Sequence, residues 1–314
     1  MVQVDLITGF LGAGKTTFLR RYAAYLAGQG ERVCILENDF GAVNVDAMLV
    51  QDLLELGCEI ETISGGCDCD THQRRMRTKL IAMAMRGFDR VVVEPSGIFD
   101  VDEFFDVLRD DPLDRWYQVG NVIAIVDAML PETLSPQAEY LLASETANAG
   151  RVLLSRTRQA GQAQTAAAAA HLTRALEGCK CSRRFAPEEI LTKDWAQLTG
   201  ADLAALASCG YRQASCEKLH FDEHEAFSSL CFLEQHLTLQ QLQAAADRLF
   251  ADRACGHVLR VKGFAPDPQG TTGWLELNAT AAGKTLAPIP QGQDVLIVIG
   301  EGLDKAAIEA RLKA

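Results

Sequence analysis

Residues 2–26 read VQVDLITGFLGAGKTTFLRRYAAYL, and this stretch decides the fold of the first part of the chain. An apolar-rich run from Val2 to Ile7 precedes a glycine-rich turn, and a helical pattern follows the turn. Between Gly9 and Thr16 the turn matches the phosphate-binding pattern Gly-x-x-x-x-Gly-Lys-Thr. Glycines let backbone N–H groups curl around phosphates, and the N-terminus of the next helix adds partial positive charge. The stretch predicts a strand, a phosphate-binding loop and a helix that bind a nucleoside triphosphate.

The loop residues have separate predicted roles toward the nucleotide. Lys15 is expected to reach the β- and γ-phosphates, and the Thr16 hydroxyl is expected to bind Mg²⁺. The other predicted nucleotide contacts of the loop are Gly9, Gly12, Ala13, Gly14 and Thr17. The alternative, a glycine-rich turn that only caps a helix, is disfavoured because a strand pattern precedes the turn and a helical pattern follows it.

Strand patterns recur after the loop and alternate with helical ones, which predicts an α/β fold with a doubly wound, mostly parallel sheet. These strand patterns cover residues 32–38, 90–97, 121–128 and 151–157. Ligands bind at the carboxyl ends of such strands. Glu94 ends one of them and is predicted to hold Mg²⁺ through a water or to orient the attacking water, unless it only caps the next helix. Asp46 is a candidate magnesium ligand or a solvated loop aspartate.

Length and composition limit the classes of function. A chain of 314 residues predicts two domains, and 48% hydrophobic with 23% charged residues is ordinary for a globular protein. The net charge of −12 disfavours a nucleic-acid partner. No run of about 18 apolar residues and no signal-peptide pattern occurs, so we expect a cytoplasmic protein that does not span a membrane. Ten cysteines in such a protein are expected to be thiols or metal ligands.

Four short segments occur in a set order, and together they resemble the CobW-like family of P-loop GTPases, which act as nucleotide-dependent metal chaperones. They are ITGFLGAGKTT (7–17), ENDFGAVNVD (37–46), GGCDCD (65–70) and VVVEPSG (91–97). HVLRVKGF (257–264) and VLIVIGEGLDKAAIEARL (295–312) look like the second domain of that family. The resemblance covers nearly the whole chain and is weakest from 156 to 225. It implies GTP hydrolysis with Mg²⁺, a transition-metal ion, a client metalloprotein and a possible homodimer.

The resemblance also implies a transition-metal site, with one departure from the family pattern. Carry-over assigns Cys67, Cys69 and Asp70 as ligands, with Asp70 in place of the third cysteine of the family. Asp39 stands where the family has a glutamate near the metal. Two thiolates and two carboxylates suit a divalent ion in tetrahedral geometry, and fewer thiolates make Co²⁺, Ni²⁺ or Fe²⁺ more competitive with Zn²⁺. The alternative is a lost metal site, which would leave a nucleotide-driven assembly or regulatory switch.

A second departure concerns recognition of the base. The family reads guanine with Asn-Lys-x-Asp, and this chain has Ser155, Arg156, Thr157 and Arg158 in that window. The aliphatic stem of Arg156 can still lie on the base, whereas Arg158 cannot accept a hydrogen bond. Losing that charge-assisted contact should lower the guanine preference by about ten- to a hundred-fold. Gln159 or Thr157 is a possible neutral acceptor, so GTP is the expected substrate and ATP stays a competitor.

The domain boundaries follow from these patterns. Residues 1–207 are predicted to form the nucleotide-binding domain, 208–225 a linker, and 226–314 a small α+β domain. The second domain reads as a strand, a helix, three strands and a final helix. No strong base for the hydrolytic water is evident, so slow turnover is expected unless a partner or a second copy supplies one. A small-molecule kinase on the same loop is a third interpretation, and it is disfavoured because no lid is evident.

Overall fold

The computed structural model describes residues 1–39, 50–64, 69–95, 97, 101–214, 216–217, 227–270, 273–289 and 292–313. Within these ranges the side chains of 38–39, 64 and 69–72 are not described. The chain divides into two compact units, Met1–Leu219 and His220–Ala314. Each unit contains a sheet of its own.

The described part of the first unit alternates strands and helices along the chain. Its strands are β1 Val2–Thr8, β2 Val33–Asp39, β3 Glu59–Ser64, β4 Arg90–Glu94, β5 Tyr117–Asp127, β6 Arg151–Ser155 and β7 Ile190–Leu191. Its α-helices are α1 Lys15–Gly28, α2 Cys69–Ala84, α3 Val101–Arg109, α4 Leu113–Trp116, α5 Pro136–Ala147, α6 Thr157–Gly178 and α7 Gly200–Leu206.

The sheet of the first unit has the strand order β3-β2-β4-β1-β5-β6-β7, and all of its described pairs are parallel. The first strand therefore lies at the centre of the sheet. In a parallel sheet the carboxyl ends of all strands meet along one edge, so the segments that follow β1, β4 and β6 lie at the same edge. The predicted doubly wound α/β fold is confirmed.

Side chains of this sheet alternate between two apolar cores. Val91 and Val93 belong to a core that also contains residues of α2, α3, α5 and α6. Val92 belongs to the opposite core, which contains Phe18 and Leu19 of α1. Because alternate residues of a strand point to opposite faces, a strand covered on both faces reads as a continuous apolar run. This is why residues 90–94 were readable as a strand from sequence.

The described part of the second unit is an antiparallel sheet with two α-helices. Its described strands are β8 Ser228–Leu233, β9 His257–Pro266, β10 Trp274–Thr280, β11 Gly283–Ile289 and β12 Val295–Glu301, in the order β11-β10-β9-β12-β8. The helices α8 Leu239–Ala251 and α9 Lys305–Leu312 share one core with the sheet. The predicted α+β architecture of this part is confirmed. The strand β11 was not predicted, because six of its seven residues are exposed and give no apolar pattern.

No described helix combines the length and the apolar character that crossing a membrane requires.

Candidate functional site

The phosphate-binding loop lies between β1 and α1 and is pressed against β5. Gly9 has a φ of 138°, and a Cβ at this position would lie 2.1 Å from the carbonyl oxygen of Ile125. Only glycine accepts both the backbone conformation and the close approach. Gly12 and Gly14 also have positive φ, at 74° and 104°. The sequence pattern of the loop thus reflects a backbone that other residues would not allow.

Lys15 is the first residue of α1 and is buried. Its Nζ donates a hydrogen bond of 2.7 Å to the carbonyl oxygen of Gly9, at the other end of the loop. This contact holds the ammonium group beside the helix N-terminus, where free backbone N–H groups attract anions. Among the other predicted loop contacts, Ala13 is buried and Thr17 is exposed.

Two of the predicted magnesium ligands lie together. The Thr16 hydroxyl donates to Oε1 of Glu94 at 2.8 Å, although the residues are 78 positions apart in sequence. Glu94 is the last residue of β4, and it is buried. A hydroxyl and a carboxylate form a hard oxygen pair, which is the donor chemistry that Mg²⁺ prefers. The pair therefore fits Mg²⁺. The third predicted ligand, Asp46, lies outside the described residues.

A second acid next to Glu94 was missing from the predicted site. Glu37 of β2 pairs in register with Glu94 of β4, and both side chains are buried. Neighbouring strands lie about 4.8 Å apart, so two carboxyl groups share this part of the sheet edge. Adjacent carboxylates favour a bound cation or a shared proton. The available signal was a glutamate that directly follows the apolar run of residues 33–36.

Gly97, three residues after the end of β4, lies close to the phosphate-binding loop. A Cβ on Gly97 would lie 2.6 Å from the backbone nitrogen of Leu11 and 2.9 Å from Nζ of Lys15. Any residue other than glycine would collide with the loop at this point. A phosphate group held by Lys15 would therefore lie near Gly97 as well.

On the other side of the loop, Arg156 connects three parts of the chain. Its Nη1 donates to Oδ2 of Asp127 at 2.6 Å, and its Nη2 donates to the carbonyl oxygen of Gly12 at 2.9 Å. The residue adopts a left-handed conformation, with φ of 54°, immediately before α6. The sequence predicted a packing role for its stem on the base. The structure adds a contact of the guanidinium with the phosphate-binding loop.

Ser155, Thr157 and Asp127 complete this side of the site. Ser155 is buried, and its hydroxyl has no hydrogen-bond partner among the described residues. Thr157 is the first residue of α6. Burial raises the pKa of Asp127, although the nearby Arg156 and the backbone amide of Met129 oppose that shift. The guanidinium thus offsets part of the cost of a buried carboxylate.

The predicted transition-metal ligands lie mostly outside the described part of the chain. Cys67 is outside it, and the side chains of Asp39, Cys69 and Asp70 are not described. Two backbone facts do bear on them: Asp39 ends β2 in register with Ser64 of β3, and Cys69 begins α2. Residues 65–68 therefore follow a strand that ends beside Asp39. Among the residues whose side chains are described, no group of three or more His, Cys, Asp or Glu is arranged to hold a metal ion.

Comparison with known families agrees with this geometry. The family model described as CobW/HypB/UreG, nucleotide-binding domain, matches residues 3–182. This range is more than half of the 314 residues, so the chain belongs to the CobW/HypB/UreG family. The resemblance predicted from sequence is thereby confirmed for the first unit.

Curated relatives cover part of the chain. The zinc chaperone YjiA of Escherichia coli is 33% identical over 173 residues, which are 52% of this chain and 52% of YjiA. The zinc chaperone YeiR of the same organism is 32% identical over 41% of this chain and 39% of its own length. Zinc-regulated GTPase metalloprotein activator 1 of Schizosaccharomyces pombe is 31% identical over 40% of this chain and 32% of its own length. The matches thus span about half of YjiA and less of the others.

Solved structures give a weaker likeness. The Zn(II)-bound YjiA GTPase from E. coli aligns over 99% of this chain and 98% of its own, at 21% identity and a TM-score of 0.38. HypB from Helicobacter pylori in complex with nickel aligns over 66% and 84%, at 15% identity and a TM-score of 0.41. The fold assignment rests on the strand order and on the family match.

Proposed function

We propose that this chain hydrolyses GTP with Mg²⁺ and couples the nucleotide to binding of a transition-metal ion for a client metalloprotein. The hydrogen bond between Thr16 and Glu94 carries the nucleotide half of this proposal, because it joins the loop to a second strand end with Mg²⁺-type donors. The metal half is supported by relatives that are named zinc chaperones. The proposed cargo is Zn²⁺ or Co²⁺, with Ni²⁺ and Fe²⁺ as competitors.

In this proposal the loop amides and Lys15 bind the β- and γ-phosphates, while Thr16 and Glu94 hold Mg²⁺. The ion neutralises charge on the phosphates when it is bound. Glu94 also orients the attacking water. Slow intrinsic turnover is part of the proposal, because the one acid assigned to the water is also a ligand of the ion.

The coupling is proposed to run through the ends of two strands, Gly97 after β4 and Asp39 of β2. Gly97 lies so close to Leu11 and Lys15 that a Cβ there would collide with both, so we propose that loss of a phosphate at Lys15 would shift Gly97. Asp39 ends β2 beside the strand that leads to Cys67 and Cys69. A shift of Asp39 would change the ligand set of the cargo ion. Linkage then requires nucleotide and metal to alter each other's affinity by the same factor.

The proposal is tested by calorimetric titration of Zn²⁺ and Co²⁺ into reduced, metal-free protein. The titration is run alone, with a non-hydrolysable Mg·GTP analogue and with the matching ATP analogue. We expect metal uptake that changes with one nucleotide and is lost in the double variant Cys67→Ala/Cys69→Ala. Phosphate release from Mg·GTP, measured on the same protein preparation without an analogue, gives the turnover.

The chain offers a matched control, since Cys179 and Cys181 have the same Cys-x-Cys spacing. Cys179→Ala/Cys181→Ala should leave nucleotide-sensitive uptake unchanged. Nucleotide binding without cysteine-dependent metal uptake would contradict the metal half. It would favour the alternative, a nucleotide-driven switch that acts on a protein partner.

A further inference from the structure

We infer that Asp194, in the loop after β7, reads the base of the nucleotide in place of the missing aspartate at position 158. This inference rests on the proposed function, because it concerns the same nucleotide. It deepens that function by naming the side chain that recognises the guanine base.

A cavity of about 860 Å³ lies between the start of α6 and the loop after β7. Thr157 and Arg158 line one side of it, and Thr192 and Asp194 line the other. Its volume falls within the roughly 300–1,000 Å³ of small-molecule pockets. The strands β6 and β7 are parallel neighbours, so their following loops meet at the sheet edge that also carries the phosphate-binding loop.

The loop that carries Asp194 is fixed against the phosphate-binding loop. Oδ1 of Asp194 accepts a hydrogen bond of 3.1 Å from the backbone nitrogen of Ala196, which caps a short 3₁₀ helix. The next residue, Trp195, donates from Nε1 to the carbonyl oxygen of Leu154 in β6 at 3.1 Å. A Cβ on Gly14 would lie 3.3 Å from the ring of Trp195. Asp194 is therefore one residue away from a side chain in contact with the loop.

The charges in the cavity match guanine. Asp194 is a carboxylate that can accept from the N1–H and the 2-amino group, which lie on one edge of guanine. Arg158 only donates, and guanine offers the acceptors O6 and N7, a pair that arginine commonly binds. Adenine has an unprotonated N1 and no 2-amino group. Among the described residues, neither Arg158 nor Asp194 is engaged in an ion pair, so both charges are available to a ligand.

The substitution Asp194→Asn tests the assignment. Asparagine caps helices as well as aspartate does, so the contact with Ala196 and the fold of the loop should persist. Xanthine has an oxygen in place of the 2-amino group of guanine, and it therefore suits the acceptor and donor of an asparagine. We expect the wild-type chain to prefer Mg·GTP over Mg·ATP and Mg·XTP. Asp194→Asn should lower GTP affinity about ten- to a hundred-fold and raise the affinity for XTP.

Asp252→Asn is the matched control for the loss of charge at a cap. Asp252 caps another short 3₁₀ helix and accepts from the backbone nitrogen of Ala254 at 3.0 Å, but it does not line the cavity. Its substitution should leave the ratio of GTP to XTP affinity unchanged. The affinities are measured by calorimetry on the full chain with Mg²⁺.

The outcomes separate this inference from the proposed function. Wild-type protein that binds GTP, with the same GTP-to-XTP ratio in Asp194→Asn, overturns the role of Asp194 and leaves GTP binding intact. A wild-type preference for ATP also overturns the inference. Wild-type protein that binds none of the three nucleotides overturns the proposed function, and the inference with it. A reversal of preference in Asp194→Asn, absent in Asp252→Asn, supports it.

Discussion

Asp5 and Glu94 are buried carboxylates of the same parallel sheet, and they have different surroundings. Oδ1 of Asp5 accepts from the backbone and side-chain nitrogens of Asn121 at 2.8 and 3.0 Å. Its Oδ2 accepts from the Tyr22 hydroxyl at 2.6 Å and from the Arg90 guanidinium at 2.7 Å. At the carboxyl end of the sheet, Glu94 accepts from the hydroxyl of Thr16 at 2.8 Å.

The two carboxylates differ in the charge of the donors that the structure describes for them. Arg90, which also pairs with Glu31, carries the charge opposite to that of Asp5, and four donors use both oxygens of Asp5, so that removing one partner of this buried network is costly. The hydroxyl of Thr16, which donates to Glu94, is neutral. Glu37 adds a second acid beside Glu94. The Asp5 network (Asp5, Tyr22, Arg90 and Asn121) in the middle of β1 thus pairs its charge within the chain, whereas the Glu94 site (Thr16, Glu37 and Glu94) is where we propose that Mg²⁺ binds.

The largest effect on the free energy of unfolding is expected at the Asp5 network. Asp5→Ala should lower the free energy of unfolding by about 3–5 kcal/mol, because it removes the fully buried carboxylate that accepts from Arg90, Tyr22 and Asn121 and leaves Glu31 as the remaining partner of the guanidinium. Urea denaturation followed by circular dichroism measures this loss. The control Asp5→Leu/Arg90→Met removes both charges and should cost less than Asp5→Ala alone. A loss below about 1 kcal/mol for Asp5→Ala would place this network among ordinary surface contacts.

The next largest effect is expected on GTP hydrolysis, at the Glu94 site. Glu94→Gln should lower the rate of GTP hydrolysis by about 10²–10³-fold, as removal of one preorganised electrostatic group does in other enzymes. It should not lower the free energy of unfolding, because an amide is cheaper to bury than a carboxylate. Phosphate release and urea denaturation are measured on the same samples. Glu37→Gln is the control for neutralising a buried acid at this place. If Glu94→Gln destabilised the protein as much as Asp5→Ala, the distinction between the Glu94 site and the Asp5 network would be lost.

Asp127 is a third acid of the sheet, and its effect on the free energy of unfolding should depend on pH. Burial raises its pKa against the effect of Arg156, so the folded state keeps a proton that the unfolded chain has already lost. Between the ordinary and the raised pKa, stability therefore falls as pH rises, and it levels off above that window. Asp127→Asn should remove this slope, and Arg156→Met should extend it to higher pH. Unfolding measured from acid to neutral pH tests this. An Asp127→Asn curve that follows the wild type would contradict it.

The sequence predicted the Glu94 site better than the Asp5 network. The loop pattern fixed Lys15 and Thr16, and a strand end placed Glu94, because these residues occur in short motifs with a chemical reason for their spacing. Asp5 lies in the same stretch of sequence as Lys15 and Thr16, but its partners Arg90 and Asn121 are 85 and 116 positions away. No local pattern signals such a pairing.

The other contacts and strands that the sequence did not predict also depend on residues that are distant in sequence. The contact of Arg156 with Gly12 spans 144 positions, and the strand β7 that carries the loop of Asp194 has two residues. The strand β3 at one edge of the sheet carries Glu59 and Glu61 in ion pairs with Arg86, which hid it from a search for apolar runs. Edge strands and long-range polar contacts depend on tertiary structure, so the sequence patterns did not reveal them.

The smallest expected effect is at the exposed pair Arg20 and Asp52. Their N–O distance of 2.6 Å is close to the 2.7 Å between Arg90 and Asp5. The exposed fractions differ, at 47% and 53% for the first pair and 9% and 0% for the second. Arg20→Gln should therefore change the free energy of unfolding by only about 0.2–1 kcal/mol, and less in high salt. Urea denaturation at two salt concentrations tests whether burial, at equal distance, decides what an ion pair contributes. A loss as large as that of Asp5→Ala would mean that it does not.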